Sequence, residues 1–464
     1  MSESTAGLRY LRTFPDFELG NVAATEALGL RRIRALLEEL GSPHLRIPVV
    51  HLAGTKGKGS TAAHLAAILQ AAGYRTGLFT QPHLLRIHER FQVDGVPIDD
   101  AALDVLLLDE IRPAVERLER RGVGGVQQFE AQVALAFLHF IASSAEVAVL
   151  ETGLGGRLDA TNVAPQPLAV VLTPIGYDHM QVLGTTLPQI AAEKAAIVKP
   201  GAPVIAAPQP AQVVPVFERA ATAAGTTLLL GGREWDTTVE HLDRAGTRFS
   251  LRVEAPSRRA YGLDAWDRSG VGGLLFDGLS TPLLGAHQAV NAGAAVVTAL
   301  TLARHFPRLT EETVRRGLAA TRWPGRLQII AHEPLVVLDG AHTPESARAL
   351  ADAVRALFGG PRLVLVLGMQ RDKDLAGTIA PLAPLAATVI ATAAAHPRAA
   401  SGAQIAAVAR RAGATVEEQD DPGRALARAR QLAGGDGMVL VAGSLYLVGA
   451  MLALHDAEQA AETP

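Results

Sequence analysis

IPVVHLAGTKGKGSTAAHLAAILQAA, residues 47–72, opens as a short apolar run and closes as an alanine-rich one, with a basic glycine loop between them. Ile47 to Ala53 reads as a buried strand, because it is apolar, short and ended by glycine. Ser60 to Ala72 reads as a helix with Ala62, Leu65, Ala66 and Leu69 on one face. Strand, glycine loop and helix N-terminus together suit a phosphate. Glycines let backbone N–H groups close on phosphate oxygens, and the helix end adds positive potential. Lys58 is placed to reach the outer phosphates, and the Ser60 hydroxyl to meet Mg²⁺, a cation that prefers oxygen. Gly59 separates Lys58 from Ser60, a departure from the usual GxxxxGK[ST] spacing. A plain basic turn would explain the loop residues but not the elements on either side.

Working outward, strands are expected at Arg75–Thr80, Val147–Leu150, Ala169–Leu172 and Pro203–Ala207. Helices are expected at Gln132–Ile141 and Ile190–Val198. This rhythm predicts a mostly parallel sheet with helices on both faces. Residues Leu228 to Leu284 hold glycine pairs and short alternating runs, and read as an antiparallel appendage. Helices follow at Ala289–Arg304 and Glu311–Ala320. Trp323-Pro324-Gly325 breaks the chain. A second α/β rhythm then has strands at Leu335–Leu338, Leu363–Leu367, Ala387–Ala391 and Met438–Ala442, with helices at Pro344–Leu357, Ala403–Ala412 and Pro422–Leu432. Residues past Asp456 read as a frayed tail. At 464 residues the chain exceeds one ordinary core. The division is therefore set at 1–322, a hinge at 323–326, and 327–464.

A net charge of −3 and 4% aromatic residues argue against a nucleic-acid partner or an acidic membrane surface. With no cysteine, disulfides, thiolate metal sites and cysteine nucleophiles are excluded. No secretory leader or membrane span is read, and a cytoplasmic protein is expected.

Further candidates fall where strands run out. Glu151 ends the Val147 run and opens ETGLGGRLDATN, residues 151–162. A carboxylate there suits Mg²⁺, since ligands of open α/β sheets gather at strand carboxyl ends. Asp178-His179 ends the next strand-to-loop passage. Glu193-Lys194, taken alone, reads as a solvated helix face. Asp339, before Gly340-Ala341-His342, repeats the logic of Glu151 in the second half. Arg326 at the hinge could swing a bidentate fork onto phosphate. Gly443-Ser444 ends the last strand.

GTKGKGST, TQPHLLRIHERFQVDG (80–95), QFE (128–130), ETGLGGRLDATN, DHMQVLG (178–184), EKAAIVKPG (193–201), HQAVNA (287–292), PGR (324–326), DGAHTPE (339–345) and LGMQRDKD (367–374) together resemble the folylpolyglutamate synthase/dihydrofolate synthase family. That family lies within the Mur-type amide ligases, and the resemblance runs from about Leu28 to Val448. It implies an N-terminal P-loop ATPase domain, Mur-ligase-like, and a C-terminal Rossmann-like α/β domain, with the active site between them. It implies ATP contacts at Gly57, Lys58, Gly59, Ser60, Asn291, Arg326 and Asp339. It implies Mg²⁺ at Ser60, Glu151 and His179, and leaves room for a second Mg²⁺ and a monovalent cation. Lys194 matches a lysine that is carbamylated in the family, against its solvated reading. Thr25, Glu26 and Ala27, Gln127, Gln128, Phe129 and Glu130, and Leu158, Asp159 and Ala160 match the pterin side. His342 is the candidate for steering the intermediate.

The implied reaction joins L-glutamate to a pteroate or folate carboxylate through an acyl phosphate made from ATP. Both dihydrofolate synthase and folylpolyglutamate synthase activity, in a monomer, are expected. Five positions depart from the family pattern. Lys56 replaces the usual Asn, Gln81 a Ser, Thr343 an Asn, and Gln127 and Gln128 a Thr and an aromatic residue. Gln81 puts the second metal in question. The alternatives are a Mur-type ligase with another carboxylate, or a P-loop nucleotide switch. The loop at Leu158–Ala160 favours the folate reading over the first, and Arg326 with Asp339 argues against the second.

Overall fold

The computed structural model describes residues 5–16, 29–255, 266, 273–360, 362–394 and 396–462. The first sheet contains β1 (Val49–Ala53), β2 (Thr76–Phe79), β3 (Phe91–Val93), β4 (Val96–Pro97), β5 (Val147–Glu151), β6 (Ala169–Leu172), β7 (Val204–Ala206) and β8 (Leu228–Leu230). Their spatial order is β4-β3-β2-β5-β1-β6-β7-β8. Pairing is parallel from β2 to β8. The β3–β4 hairpin closes one edge in antiparallel fashion. Every residue of β1, β5 and β6 is buried, and the strands are apolar but for His51 in β1 and Glu151 at the end of β5.

The helix of the phosphate loop spans Lys58–Ala71. The amphipathic face expected for it is not how it packs. Residues 60–66 are all buried, because the helix lies between the sheet and the helices Ala286–Leu302 and Glu311–Ala320. Its alanines permit that approach, as does Gly317, which lies against the Ile68 backbone. The other face of the sheet is covered by the helices Gln128–Ala142 and Leu187–Ala195.

The appendage is smaller than the sequence pattern implied. It is a three-stranded antiparallel sheet of β9 (Trp235–Asp243), β10 (Gly246–Val253) and β11 (Leu274–Thr281). Leu228–Leu230 instead pairs in parallel with β7, since its apolar side chains complete the large sheet. Trp235, Phe249 and Leu251 seat the appendage on the helix Ala286–Leu302. His64 Nε2 lies 2.9 Å from Thr281 Oγ1 and joins it to the phosphate-loop helix.

The second sheet contains β12 (Gln328–His332), β13 (Leu335–Leu338), β14 (Leu363–Leu367), β15 (Thr388–Ala391), β16 (Val416–Glu418) and β17 (Met438–Ala442), in the order β12-β13-β17-β14-β15-β16. All pairs are parallel except β12–β13. β16 carries too little apolar character to announce itself, β12 has only Ile329–Ala331 between polar residues, and both lie at edges. Residues 457–462 continue as helix, in the element Leu445–Glu462, where the sequence reads as a frayed tail. Among the described residues, no helix is long and apolar enough to cross a membrane.

Strand register places the site. Leu52 pairs with Glu151 and Ala53 with Leu172, so Glu151, Gly54 and Thr173 emerge at one edge. Leu338 pairs with Val441 and Leu367 with Ala442, so Asp339, Gly368 and Gly443 share an edge of the second sheet. The two carboxyl edges face each other across a cleft of about 640 Å³.

Candidate active site

Gly57, at φ 81°, caps the helix Lys58–Ala71. A side chain there would be strained and would also strike Asn291 Oδ1. A Cβ on Gly59 would meet the Trp323 ring, so the loop and the 323–326 segment are in close approach. Among the described residues no side chain caps this helix end, which leaves its first-turn N–H groups for an anion. The carbonyl of Pro174 accepts from Thr55 N and Lys56 N at 3.0 and 3.2 Å and holds the loop against the next strand's exit.

Lys58 Nζ lies 3.6 Å from Glu151 Oε1. Burial raises the Glu151 carboxyl above its ordinary range, with Lys58 the main opposing influence. Ser60, Glu151 and His179 all line the cleft. Among the described residues no cluster of three or more acidic or histidine side chains forms a closed metal site. The set still fits Mg²⁺. It offers a hydroxyl and a buried carboxylate, both hard oxygen donors, and nucleotide phosphates and water complete such shells. His179, at φ 49°, starts the short helix Met180–Leu183. Burial and the neighbouring lysines push it down to about 4, so it is neutral at pH 7.

Asp178 joins the two halves of the protein. Its Oδ2 accepts from Lys56 Nζ at 3.2 Å and its Oδ1 from Lys373 Nζ at 2.6 Å. Burial works to raise this carboxyl, but Lys56, His179 and Lys373 hold it well below the carboxylate range. Lys194 is buried in the last turn of the helix Leu187–Ala195, so the solvated reading does not hold. Burial, with Lys58 nearby, lowers it to about 7. Its neighbour Glu193 is the surface partner, 3.0 Å from Arg157 Nε.

From the second half, Asp339 is buried and accepts from Leu327 N at 2.9 Å and from Ala341 N at 2.8 Å. Burial raises its carboxyl, chiefly against Arg326. Arg326, which donates to the Gly325 carbonyl at 3.0 Å, also feels the charge of Glu151. Asn291 donates to Gln288 Oε1 at 3.0 Å and abuts Gly57. His342 Nδ1 lies 2.8 Å from the Gly340 carbonyl, which only accepts. Nδ1 therefore carries the proton and Nε2 is left as an acceptor. Burial, Lys56 and Lys373 push His342 down to about 3. Thr343 caps the helix Pro344–Phe358 through Ser346.

The expected pterin side divides. Gln127, Phe129 and Asp159 line the cleft, whereas Gln128, Glu130, Leu158 and Ala160 do not. Glu130 is spent on Gln127 N at 2.8 Å and Arg32 Nε at 3.1 Å, which fixes the start of its helix. Gln128 Nε2 donates to Asp16 Oδ2 at 2.9 Å. Asp159 takes N–H groups from Leu154 and Thr161 at 2.7 and 3.0 Å and so shapes the glycine loop. Leu158 is exposed. Thr25, Glu26 and Ala27 lie outside the described residues. The sequence reading did not single out Asp16, Arg90, Gln132, Glu345 and Arg398, which also line the cleft. Arg90 and Glu345 lie within motifs that carry the resemblance but had no role read for them, and Asp16, Gln132 and Arg398 have no local signal.

Four matches bear on a chain whose phosphate loop faces a second acidic sheet edge. The Mur ligase glutamate ligase domain matches residues 325–445, the half that carries Arg326, Asp339 and His342. The dihydrofolate synthase/folylpolyglutamate synthase of Bacillus subtilis is 32% identical over 422 residues, 90% of this chain and 93% of that protein. The folylpolyglutamate synthase of Lacticaseibacillus casei is 36% identical over 349 residues, 75% of this chain and 76% of that one. The Mycobacterium tuberculosis folylpolyglutamate synthase, solved with ADP, superposes with a TM-score of 0.83 at 31% identity, over 96% of this chain and 97% of its own. Likeness of this extent takes in both sheets and the cleft between them, and the chain belongs to the folylpolyglutamate synthase/dihydrofolate synthase family.

Proposed function

We propose that this protein is an ATP-dependent ligase that joins the amine of L-glutamate to the carboxylate of a pteroate or folate. One observation carries the reading. The phosphate loop with Lys58 and Glu151 opens into the same cleft as Arg326, Asp339 and His342 from the second sheet. A nucleotide switch has no need of that second edge.

A carboxylate does not accept an amine at neutral pH until it has a leaving group. Its oxygen attacks the γ-phosphorus of ATP, the bond to the β-phosphate oxygen breaks, and ADP leaves. The N–H groups of residues 57–60 and the Lys58 ammonium offset the charge that accumulates on the phosphates. Arg326 and Asp339 position the nucleotide from across the cleft, and Asn291 does so from beside Gly57. Ser60 and Glu151, with His179 beside them, would hold Mg²⁺, which supplies further neutralisation of phosphate charge. The glutamate amine then adds to the acyl carbon, and the C–O bond to phosphate breaks. The amine sheds a proton and inorganic phosphate leaves. His342 is too weak a base to take that proton, but its Nε2 is an acceptor that can orient the amine. The division into 1–322 and 327–464 makes 323–326 the hinge on which the cleft closes and excludes water from the acyl phosphate.

Lys194 is read as carbamylated. That step needs a neutral amine to attack the carbon of CO₂ and lose a proton, and a lysine at about 7 provides one near neutrality. The carbamate would replace a cation beside Lys58 with an anion. ¹³C NMR of the protein in ¹³C-bicarbonate is expected to show a carbamate signal that Lys194→Arg lacks. A spectrum identical for both proteins removes the modification.

The functional test is phosphate release with ATP and Mg²⁺, given dihydropteroate or tetrahydrofolate, with and without L-glutamate. Release is expected with both acceptors, to depend on glutamate, and to fall when Mg²⁺ is withheld. On this reading, glycine-rich loop 153–156 is the element that would adapt the cleft to two substrate depths. Incorporation into only one acceptor would limit the protein to that activity. Release indifferent to the amino acid would remove the ligase reading.

A further inference from the structure

We propose that the Gln81 carboxamide is a substrate-positioning group, donating a hydrogen bond from Nε2 to the carboxylate that becomes the acyl phosphate. The proposal deepens the reading above and rests on it.

Gln81 lies just beyond β2 and lines the cleft. Its backbone N–H donates to Glu151 Oε2 at 3.3 Å, so the residue is tied to the metal-binding edge. Its side chain runs to Gly153. The point where a Cβ on Gly153 would stand is 2.8 Å from Phe129 Cζ, 2.9 Å from Gln81 Nε2 and 3.1 Å from Asp159 Oδ2. The carboxamide thus stands in the cleft wall beside Phe129 and Asp159. A substrate stacked on Phe129 with its carboxylate toward the γ-phosphate must pass it.

Nε2 is buried and has no hydrogen-bond partner among the described residues. Leaving such a donor unmet costs folding free energy, so its retention at a cleft wall calls for a reason. Charge supplies it. The polar neighbours of Gln81 include Glu151, which its own N–H meets, and Asp159, both carboxylates that repel an incoming carboxylate. Gln81 is the one of the three with N–H groups to offer. Asp159 Oδ2 already accepts from Leu154 N at 2.7 Å, so the amide is not needed to satisfy it. An amide is neutral, so it can hold the carboxylate without lowering its nucleophilicity as a full cation would. It also remains in reach of the oxygen that gains charge when the amine adds.

The test compares Gln81→Ala, Gln81→Glu and Gln81→Asn with the unaltered protein. KM for the pteroate substrate, KM for ATP, kcat and thermal midpoint are measured for each. Gln81→Ala is expected to lower kcat/KM for the pteroate by about 10- to 100-fold, the worth of one hydrogen bond to a charged group. KM for ATP should change little. Gln81→Glu should lose more than Gln81→Ala, because it adds a repelling carboxylate of nearly the same shape. Gln81→Asn, which keeps the amide, should recover part of the loss. A merely structural role would lower the thermal midpoint and disturb both substrates, with no distinction between Ala and Glu, and that pattern overturns the proposal. Gln81→Glu as active as the unaltered protein also overturns it. If Gln81→Glu does not fold, the difference between Ala and Asn decides in its place: partial recovery in Asn supports the proposal, and equal loss in both overturns it. Failure of the unaltered protein to release phosphate in response to a pteroate and glutamate would instead overturn the functional reading, and this assignment with it.

Discussion

Lys58→Ala is expected to reduce glutamate-dependent ADP formation by about 10³-fold, the scale of losing a preorganised charge on a transferring phosphoryl group. Lys58 is the first residue of its helix and stands 3.6 Å from Glu151. Removing it takes a point charge from phosphate and also leaves Glu151 with less to oppose burial. The Glu151 carboxyl, already raised, should rise further. The sign of the pH effect follows. A carboxyl whose folded value is raised favours the folded state in its protonated form, and that stabilisation is lost as pH rises through the folded value. The stability deficit of Lys58→Ala should therefore be small in mild acid and grow toward alkaline pH. Thermal unfolding across pH, run beside the activity assay, checks both parts. A folded Lys58→Ala protein with ordinary turnover would remove the phosphate-loop assignment.

Asp178→Asn should be the most destabilising single change at the junction of the two sheets. The substitution keeps the shape but leaves Lys56 and Lys373 facing each other without a counter-charge. Their side chains are 24% and 11% exposed, and Asp178 is 14% exposed. Breaking a largely buried ion pair by removing one partner costs about 3 kcal/mol. Because the folded Asp178 carboxyl lies below its ordinary value of about 3.9, its stabilisation is present above that value. It is lost as pH falls through the folded value. Denaturant unfolding at neutral pH should show the full difference between the two proteins, and the gap should narrow in strong acid. Lys373 belongs to the second half and Lys56 to the first, so cleft closure should weaken too, seen as a higher KM for ATP. An unfolding midpoint unmoved at neutral pH would show that solvent already screens these charges.

The two α/β halves, the phosphate loop and the acidic strand ends were all legible in the sequence, because these features are local. β6, β13, β14 and β17 are each short, apolar and bounded by breakers, and their observed bounds match the sequence reading. The loop at 54–61 carries its chemistry in residues that are neighbours in the chain. Glu151 and Asp339 could be picked out because each ends a strand, and strand ends gather at one edge of a parallel sheet.

Other features depend on groups far apart in the chain and emerge only once it is folded. Lys194 reads as an exposed helix charge because helical periodicity does not say which face a neighbouring element covers, yet it is buried, with Gly156 packed on the backbone of its turn. Glu130 reads as a cleft residue beside Phe129, yet Arg32 draws it away from the cleft. Asp178 becomes a bridge only because Lys373, 195 positions later, arrives from the second sheet. Gln81 reads as a substitution with no stated consequence until Gly153, Phe129 and Asp159 surround its amide. The physical reason is common to all four. Strand and helix patterns are set by each residue's own preference for water or core, whereas a site's charges and donors are set by which partners the fold brings within a few ångströms.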